Sequence, residues 1–428
     1  MARGFYTLLW WLVLPLVPFK LWWRGRREPG YRLRIGERFG RYRNDAPAPQ
    51  GDVVWIHAVS LGETRAAAPL LERIARALPD ATILLTHMTA TGREAGHALY
   101  GDSVQQVWLP YDVPFAIDAF LERFNPRVGL LMETEVWPNL VAACRRSDIP
   151  LYLVNARLSE KSAAGYARFS SLTQPMFAAL AGTAAQTAGD AARLAAVGAR
   201  EVTVTGNLKF DVALPEQADA LGRELRIRFG ATRPVFLAAS TRDGEEALLL
   251  DALAKNALPA QTLTVIVPRH PQRFPAVAEL LRTRGLPFIR RSENRQVPAD
   301  VAFVLGDSLG EMGGYCAAAD VAFVGGSLLP LGGQNLIEPI AMGTPTLVGP
   351  HTFNFREATD NAIAAGAAVR VADADALTME VGALLVDTAR RNRLRDAALV
   401  FHAAHRGAAD RLWNWLAPRL RAIRSAGD

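Results

Sequence analysis

Between Gly325 and Pro339 the chain reads Gly-Gly-Ser-Leu-Leu-Pro-Leu-Gly-Gly-Gln-Asn-Leu-Ile-Glu-Pro, directly after the apolar run Val321-Ala-Phe-Val324. Two glycine pairs between a buried strand and a helix let backbone N–H groups come close to a ligand. Asn335 sits where an N-cap opens the next helix, whose N-terminus favours a phosphate. Glu338, one turn in, is placed to accept hydrogen bonds from paired sugar hydroxyls. Strand, glycine turn, helix and carboxylate together describe a nucleotide-sugar pocket, although a capped helix after a glycine-rich loop has the same outline.

Further candidates follow other apolar runs. In His57-Ala-Val-Ser-Leu-Gly-Glu63 a Ser60-x-Gly62-Glu63 turn puts a carboxylate at a helix N-terminus. There it complements the helix dipole, worth about 0.3–1 kcal/mol, or takes a proton from a hydroxyl as a general base. His57, on the strand itself, reads as a core or supporting histidine. Glu133-Thr-Glu135-Val-Trp-Pro138 follows another run; Pro138 suits the first turn of a helix, with one of the acids as a cap. Were both glutamates on a strand they would share a face. Asn155-Ala-Arg157 follows the next run, and Thr205-Gly-Asn-Leu-Lys209 brings a lysine to the end of the first half. That lysine either offsets charge on a departing phosphate or is a solvated surface side chain.

The second half adds Ala239-Ser-Thr-Arg-Asp-Gly-Glu-Glu246, a turn with an anion-friendly start. Arg269, between Pro268 and Pro271, is pre-organised for a phosphate or a base edge, or for a salt bridge. Gly306-Asp-Ser-Leu309-Gly310-Glu311 exposes backbone at a turn that can read a base edge. No H-E-x-x-H, cysteine set or paired acidic loop calls for a metal, so neither metal nor cofactor is expected. No G-x-G-x-x-G follows the first run and no G-x-x-x-x-G-K-[ST] is present, which disfavours dinucleotide and P-loop chemistry. Cys144 and Cys316 are too far apart in sequence to suggest a disulfide framework.

Parallel strands must position these residues. Apolar β-type runs recur at Val53–Ala58, Ala81–Thr86, Gln106–Leu109, Val128–Met132, Leu151–Asn155 and Val202–Val204. They resume at Val235–Ala239, Leu263–Val267, Val301–Leu305, Val321–Val324 and Thr346–Val348, with helical stretches between them. Continuous apolar runs rather than alternation indicate strands covered on both faces. Two successive α/β domains are expected within 428 residues. The boundary is placed at Asp211-Val-Ala-Leu-Pro-Glu-Gln217, giving domains 24–211 and 212–428, and the last helix has the option of crossing back to the first. Ligands of such folds bind beyond the C-terminal strand ends.

The net charge of +6 is unevenly spread. Residues 1–45 carry ten basic and three acidic side chains, a net +7; the remainder carries 38 basic and 39 acidic, a net −1. All of the basic residues but Arg3 follow an apolar run from Gly4 to Phe19, closed by Lys20-Leu-Trp-Trp23. This is read as a membrane anchor, residues 1–23, rather than a nucleic-acid patch. Sixteen uncharged residues fall short of the usual span, so spanning and lying in the interface both remain open. The arginines on its C-terminal side would leave the large domains on the cytoplasmic side of the inner membrane.

Together these segments resemble the bacterial 3-deoxy-D-manno-octulosonic acid (Kdo) transferases of lipopolysaccharide assembly. The resemblance runs through Gly36-Glu-Arg-Phe-Gly40, His57–Glu63, Leu109-Pro-Tyr-Asp112, Met132–Asn139, Asn155–Ser159, Val267–Pro271 and Gly349-Pro-His-Thr-Phe-Asn-Phe355. It implies a GT-B glycosyltransferase, two Rossmann-like domains around a cleft, that moves Kdo with inversion and without a metal. The donor implied is CMP-Kdo and the acceptor is the lipid A precursor, lipid IVA. On the family pattern Glu63 corresponds to the general base, and Glu133 and Lys209 to residues that stabilise the transition state. CMP would be held by Pro268, Arg269, Leu309, Gly310, Glu311, Asn335, Leu336, Ile337 and Glu338. Gln334 and Arg242 stand where the family pattern has histidines, and neither side chain can supply an imidazolium there. Rival readings are a nucleotide-sugar epimerase of the same architecture and a non-catalytic lipid-binding protein.

Overall fold

Runs rich in valine, leucine and isoleucine become parallel strands because both faces of each are covered. The computed structural model describes residues 2–26, 28–42, 51–211 and 217–425. Arg27, Arg43 and Asp45 of the basic segment, and residues 212–216 of the expected boundary, lie outside the described residues. The chain divides into two compact units, one of Met1–Val212 with Arg406–Asp428 and one of Ala213–His405.

The first unit holds seven strands: β1 (Val53–His57), β2 (Thr82–His87), β3 (Gln105–Trp108), β4 (Val128–Met132), β5 (Leu151–Ala156), β6 (Gly182–Ala185) and β7 (Val202–Val204). Their order is β3-β2-β1-β4-β5-β6-β7, all parallel. The order reverses between β1 and β4, and the loops after those two strands therefore open at the switch point of the sheet. β6 has no β-type signature, being Gly-Thr-Ala-Ala. Its small side chains make room for the final helix: a Cβ on Gly182 would stand 2.9 Å from the Trp415 ring.

The second unit repeats the plan with β8 (Val235–Thr241), β9 (Leu263–Pro268), β10 (Phe288–Arg290), β11 (Phe303–Leu305), β12 (Val321–Val324), β13 (Thr346–Val348) and β14 (Ala368–Arg370). The order is β10-β11-β9-β8-β12-β13-β14. Here the reversal falls between β8 and β12, whose loops carry Arg242–Glu246 and the glycine-rich segment. β10 and β14 are three-residue strands at the two edges of the sheet, too short to stand out in the sequence.

The last helix, Ala408–Ser425, belongs to the first unit and covers its sheet with Leu412 and Leu416. Its start is fixed by Asp211, whose carboxylate accepts from the N–H groups of Gly407 (2.7 Å) and Ala409 (2.6 Å). Both chain crossings are thus tied together on the first unit. At the other end of the chain, a helix over Ala2–Val13, a 3-10 turn over Leu14–Leu16 and a helix over Val17–Arg24 form one 23-residue apolar stretch. By length and composition it is able to cross a membrane.

Candidate active site

Glu63 stands in the first turn of the helix Leu61–Ala66, which opens where β1 ends. Ser60 is the N-cap, and the pair forms a capping arrangement. Ser60 Oγ donates to Glu63 Oε1 at 2.8 Å, and the Val59 N–H donates to Oε2 at 2.9 Å. The side chain is nonetheless buried, 8 % exposed. Burial, and then the charge of Glu133, push its carboxyl up to about 7, against the opposing pull of those two donors. A carboxylate that exchanges its proton near neutrality is poised for acid–base work.

Glu133 follows β4 in a left-handed conformation, φ 56°. It is therefore not on a strand, and Glu133 and Glu135 do not form the same-face pair expected from their spacing. Neither caps the next helix. The helix Pro138–Arg146 is capped instead by Asp112, whose two oxygens take the N–H groups of Asn139 (3.0 Å) and Leu140 (2.8 Å). Glu135 accepts from the Trp137 indole at 3.1 Å.

Glu133 is held by two cations. Lys209 Nζ lies 2.8 Å from Oε1 and Arg157 Nε lies 2.6 Å from Oε2. Burial works to raise its carboxyl, but Lys209 and Arg157 outweigh it and hold Glu133 below the usual range. It is therefore an anion at neutral pH, within a cluster whose net charge is +1. The backbone of Lys209 is placed by two asparagines. Asn155 Oδ1 accepts from the Leu208 N–H and Asn207 Oδ1 from the Lys209 N–H, both at 3.0 Å. Arg157 and Asn155 were visible in the sequence only as polar residues after a strand; their partners are 24 and 53 positions away. His57 is fully buried, with Nδ1 2.9 Å from Thr86 Oγ1. Burial, then His87, take it down to about 3, a neutral core residue.

In the second unit Arg269 leaves the end of β9 and reaches the glycine-rich segment, Nε donating to Gln334 Oε1 at 3.1 Å. This bond brings Pro268-Arg269 beside Asn335–Glu338. The helix there is five residues long, Ile337–Ala341, with Leu336 rather than Asn335 as its N-cap. Asn335 still works one position earlier: its Oδ1 accepts from the Ile337 N–H at 3.1 Å, and its Nδ2 donates to Glu338 at 3.2 Å.

The glycine amides are placed differently from the sequence expectation. Gly325 donates to Ala239 O, Gly333 to Gly326 O, and Gly326 to the carboxylate of Glu245. Glu245, fully buried at the start of the helix Glu245–Lys255, also takes the Leu328 N–H at 3.0 Å. Three of the four glycine N–H groups are thus satisfied inside the protein, and an internal carboxylate occupies the position expected for a ligand anion. Glycine is still required: Gly326 has φ 72°, and a Cβ on Gly325 would lie 2.6 Å from Ser240 O. Glu245 was passed over in the sequence because its partners are 81 and 83 positions away.

Leu309–Glu311 lies beyond β11, the neighbour of β9. Leu309 is exposed, Gly310 takes φ 77° with open space where a Cβ would point, and Glu311 is fixed by Arg291 (3.1 Å) and Ser308 (2.6 Å). Among the described residues no group of three or more histidine, cysteine, aspartate or glutamate side chains is placed to hold a metal.

Residues 33–212 match the family model described as 3-deoxy-D-manno-octulosonic-acid transferase (kdotransferase). The chain is 49 % identical to the 3-deoxy-D-manno-octulosonic acid transferase of Bordetella pertussis, over 97 % of this chain and 100 % of that one. It is 38 % identical to the enzyme of the same name from Haemophilus influenzae, over 98 % and 99 %. Among solved structures, UDP-GlcNAc 2-epimerase from Neisseria meningitidis superposes with a TM-score of 0.59, covering 86 % of this chain and 100 % of that one. At 15 % identity that likeness shows the fold alone, a GT-B-type pair of Rossmann-like units. Identity at this level over nearly the full length of both relatives settles the kinship: the chain belongs to the 3-deoxy-D-manno-octulosonic acid transferase family of glycosyltransferases.

Proposed function

We propose that this protein transfers Kdo from CMP-Kdo to a lipid A precursor, lipid IVA, with inversion, and that Glu63 is the general base. The observation that carries the reading is the buried Glu63 carboxyl at the end of β1, titrating near 7. A base with that pKa is substantially ionised at neutral pH and gains basicity from its burial. The acceptor hydroxyl gives its proton to Glu63 as its oxygen bonds to the anomeric carbon of Kdo. The bond from that carbon to the CMP phosphate oxygen breaks, and CMP leaves with the electron pair.

The cation pair around Glu133 suits the second half of the step. Lys209 and Arg157 offset the charge that builds on the departing phosphate, and Glu133 holds both in place. No metal or cofactor is assigned a part. The nucleotide is assigned to the second unit, with Arg269 on the phosphate, Glu338 on the ribose, and the exposed backbone of Leu309–Glu311 on the base. Pro268, Asn335, Leu336 and Ile337 shape the same surface. The acceptor is assigned to the first unit, whose apolar N-terminal helix suits an enzyme working on a lipid at the inner membrane.

The test is mass spectrometry of products from purified protein, lipid A precursor and CMP-Kdo. The reading expects a Kdo-bearing lipid from the native protein. Glu63→Gln should lower the rate about 10²–10⁴-fold while CMP binding is kept. Undiminished transfer by that variant removes Glu63 as the base; an epimerised sugar from the donor alone replaces transfer with epimerisation.

A further inference from the structure

The N-terminal helix is fastened to the first unit along its length. Tyr6 hydrogen-bonds Asp112, and Thr7 Oγ1 donates to Asn139 Oδ1 at 3.0 Å. The rings of Trp10 and Tyr111 are 5.7 Å apart, those of Trp11 and Phe115 5.5 Å. Further along, Val17 and Leu21 are buried against Tyr31 and Ala90. Positions 7, 10, 17 and 21 fall on one helical stripe. The opposite stripe is apolar and open: Phe5, Leu12, Leu16 and Phe19 are each 65–69 % exposed.

This attachment is incompatible with a span. Residues 6 to 21 cover about 22 Å at 1.5 Å per residue, most of the ~30 Å hydrocarbon core of a bilayer. A helix crossing the membrane would carry Asp112, Tyr111 and Asn139 into the hydrocarbon with it, at a cost of several kcal/mol. Lying flat, the same helix keeps its contacts and gives its open stripe to the acyl region.

Where the helix meets the unit there is a cavity of about 390 Å³. Arg3, Thr7, Asn139 and Arg146 supply its polar lining, Leu8 and Trp11 its apolar lining. Arg3 makes no close salt bridge among the described residues, though its charge acts on the buried carboxyl of Asp112. Arg146 rests on Asp118 at 2.8 Å, with both side chains more than half exposed, a pair worth little in water. Two guanidinium groups beside an apolar wall, continuous with a membrane-facing stripe, match an anionic headgroup and the start of its chains.

We propose that the N-terminal helix lies in the plane of the membrane surface and that this cavity binds the headgroup of an anionic phospholipid through Arg3 and Arg146. The site uses none of the residues assigned to the transfer chemistry, and its test contains neither donor nor acceptor.

Full-length protein is floated with vesicles of phosphatidylcholine, with and without phosphatidylglycerol, at low ionic strength. The anionic vesicles should bind at least tenfold more tightly. Arg3→Ala with Arg146→Ala should remove most of that preference, and Arg3→Lys with Arg146→Lys should keep most of it. Arg393→Ala with Arg395→Ala, the same charge change on the second unit, should leave it intact. Equal losses in the two alanine pairs, or no loss in either, overturn the headgroup site. The orientation is read from Ala2→Cys and Arg26→Cys, labelled with an impermeant maleimide on intact vesicles to which protein was added from outside. Cys144 and Cys316 are buried and silent. Labelling of both new cysteines fits the flat helix; labelling of Ala2→Cys only after detergent shows a span and overturns it.

Discussion

Lys209 Nζ and Glu133 Oε1 are 2.8 Å apart although 76 positions separate them in the chain. The pair exists because β4 and β7 both end on the same edge of one parallel sheet. Arg157, from the end of β5, closes on the other oxygen of Glu133. The carboxylate organises two cations and also acts on Glu63, whose proton it holds more tightly through its negative charge.

Replacing Glu133 by glutamine should therefore change Glu63. With the anion gone and Lys209 and Arg157 no longer offset, the Glu63 carboxyl falls toward the ordinary range. The acidic limb of the pH–rate profile should move to lower pH, while the maximal rate drops about 10-fold or more as the two cations lose their anchor. A profile recorded from pH 5 to 9 on the residual activity reads this; an unmoved limb separates the two glutamates.

Glu63 should also leave a mark on stability. Its carboxyl is pushed up to about 7 in the folded protein from an ordinary 4.5, so the folded state binds more protons between those values. Stability from this group is fully present below about pH 4.5 and declines as pH rises through 7. Glu63→Gln abolishes that decline, and should stabilise the protein by about 1–3 kcal/mol at pH 8 and by little at pH 4.5. Urea unfolding at the two pH values checks the sign.

Glu245 holds the glycine-rich loop from inside. In Glu245→Gln an amide group faces the N–H of Gly326 or of Leu328, leaving a buried donor unpaired. The expected cost is about 2 kcal/mol, together with a raised KM for the donor and an acceptor KM that stays put. A change confined to the acceptor side would place this loop elsewhere in the mechanism.

Gln334 supplies Arg269 with an acceptor that does not titrate. Gln334→His should make donor binding depend on pH. Below about pH 6 the imidazolium loses an acceptor and repels Arg269, so donor KM should climb several-fold at pH 5.5 and return at pH 8. Native protein should show no such difference, as initial rates against CMP-Kdo, a phosphodiester whose phosphate does not titrate in this range, will record.

Much of this was legible in the sequence. Eleven strands announced themselves through valine, leucine and isoleucine covered on both faces. β6 did not, because it is built of glycine, threonine and alanine, small where Gly182 meets Trp415, and β10 and β14 are three-residue edges. Glu63 was marked by its own neighbours, Ser60 and Gly62, since a helix start is a local event. Arg157, Asp112 and Glu245 stood in the sequence only as members of longer segments with no partner in view, because each acts on groups brought close only by the sheet. The glycine loop misled for the same reason: its backbone did call for an anion, and a glutamate 81 positions away supplies it.

The central claim is that Glu63 removes the acceptor proton. It is tested most directly by single-turnover transfer from CMP-Kdo to lipid A precursor, followed by mass spectrometry from pH 5 to 9. The native protein should show a rate rising with one ionisation near 7, and Glu63→Gln should show a low rate without that ionisation. A variant that keeps both the rate and the limb would contradict the account.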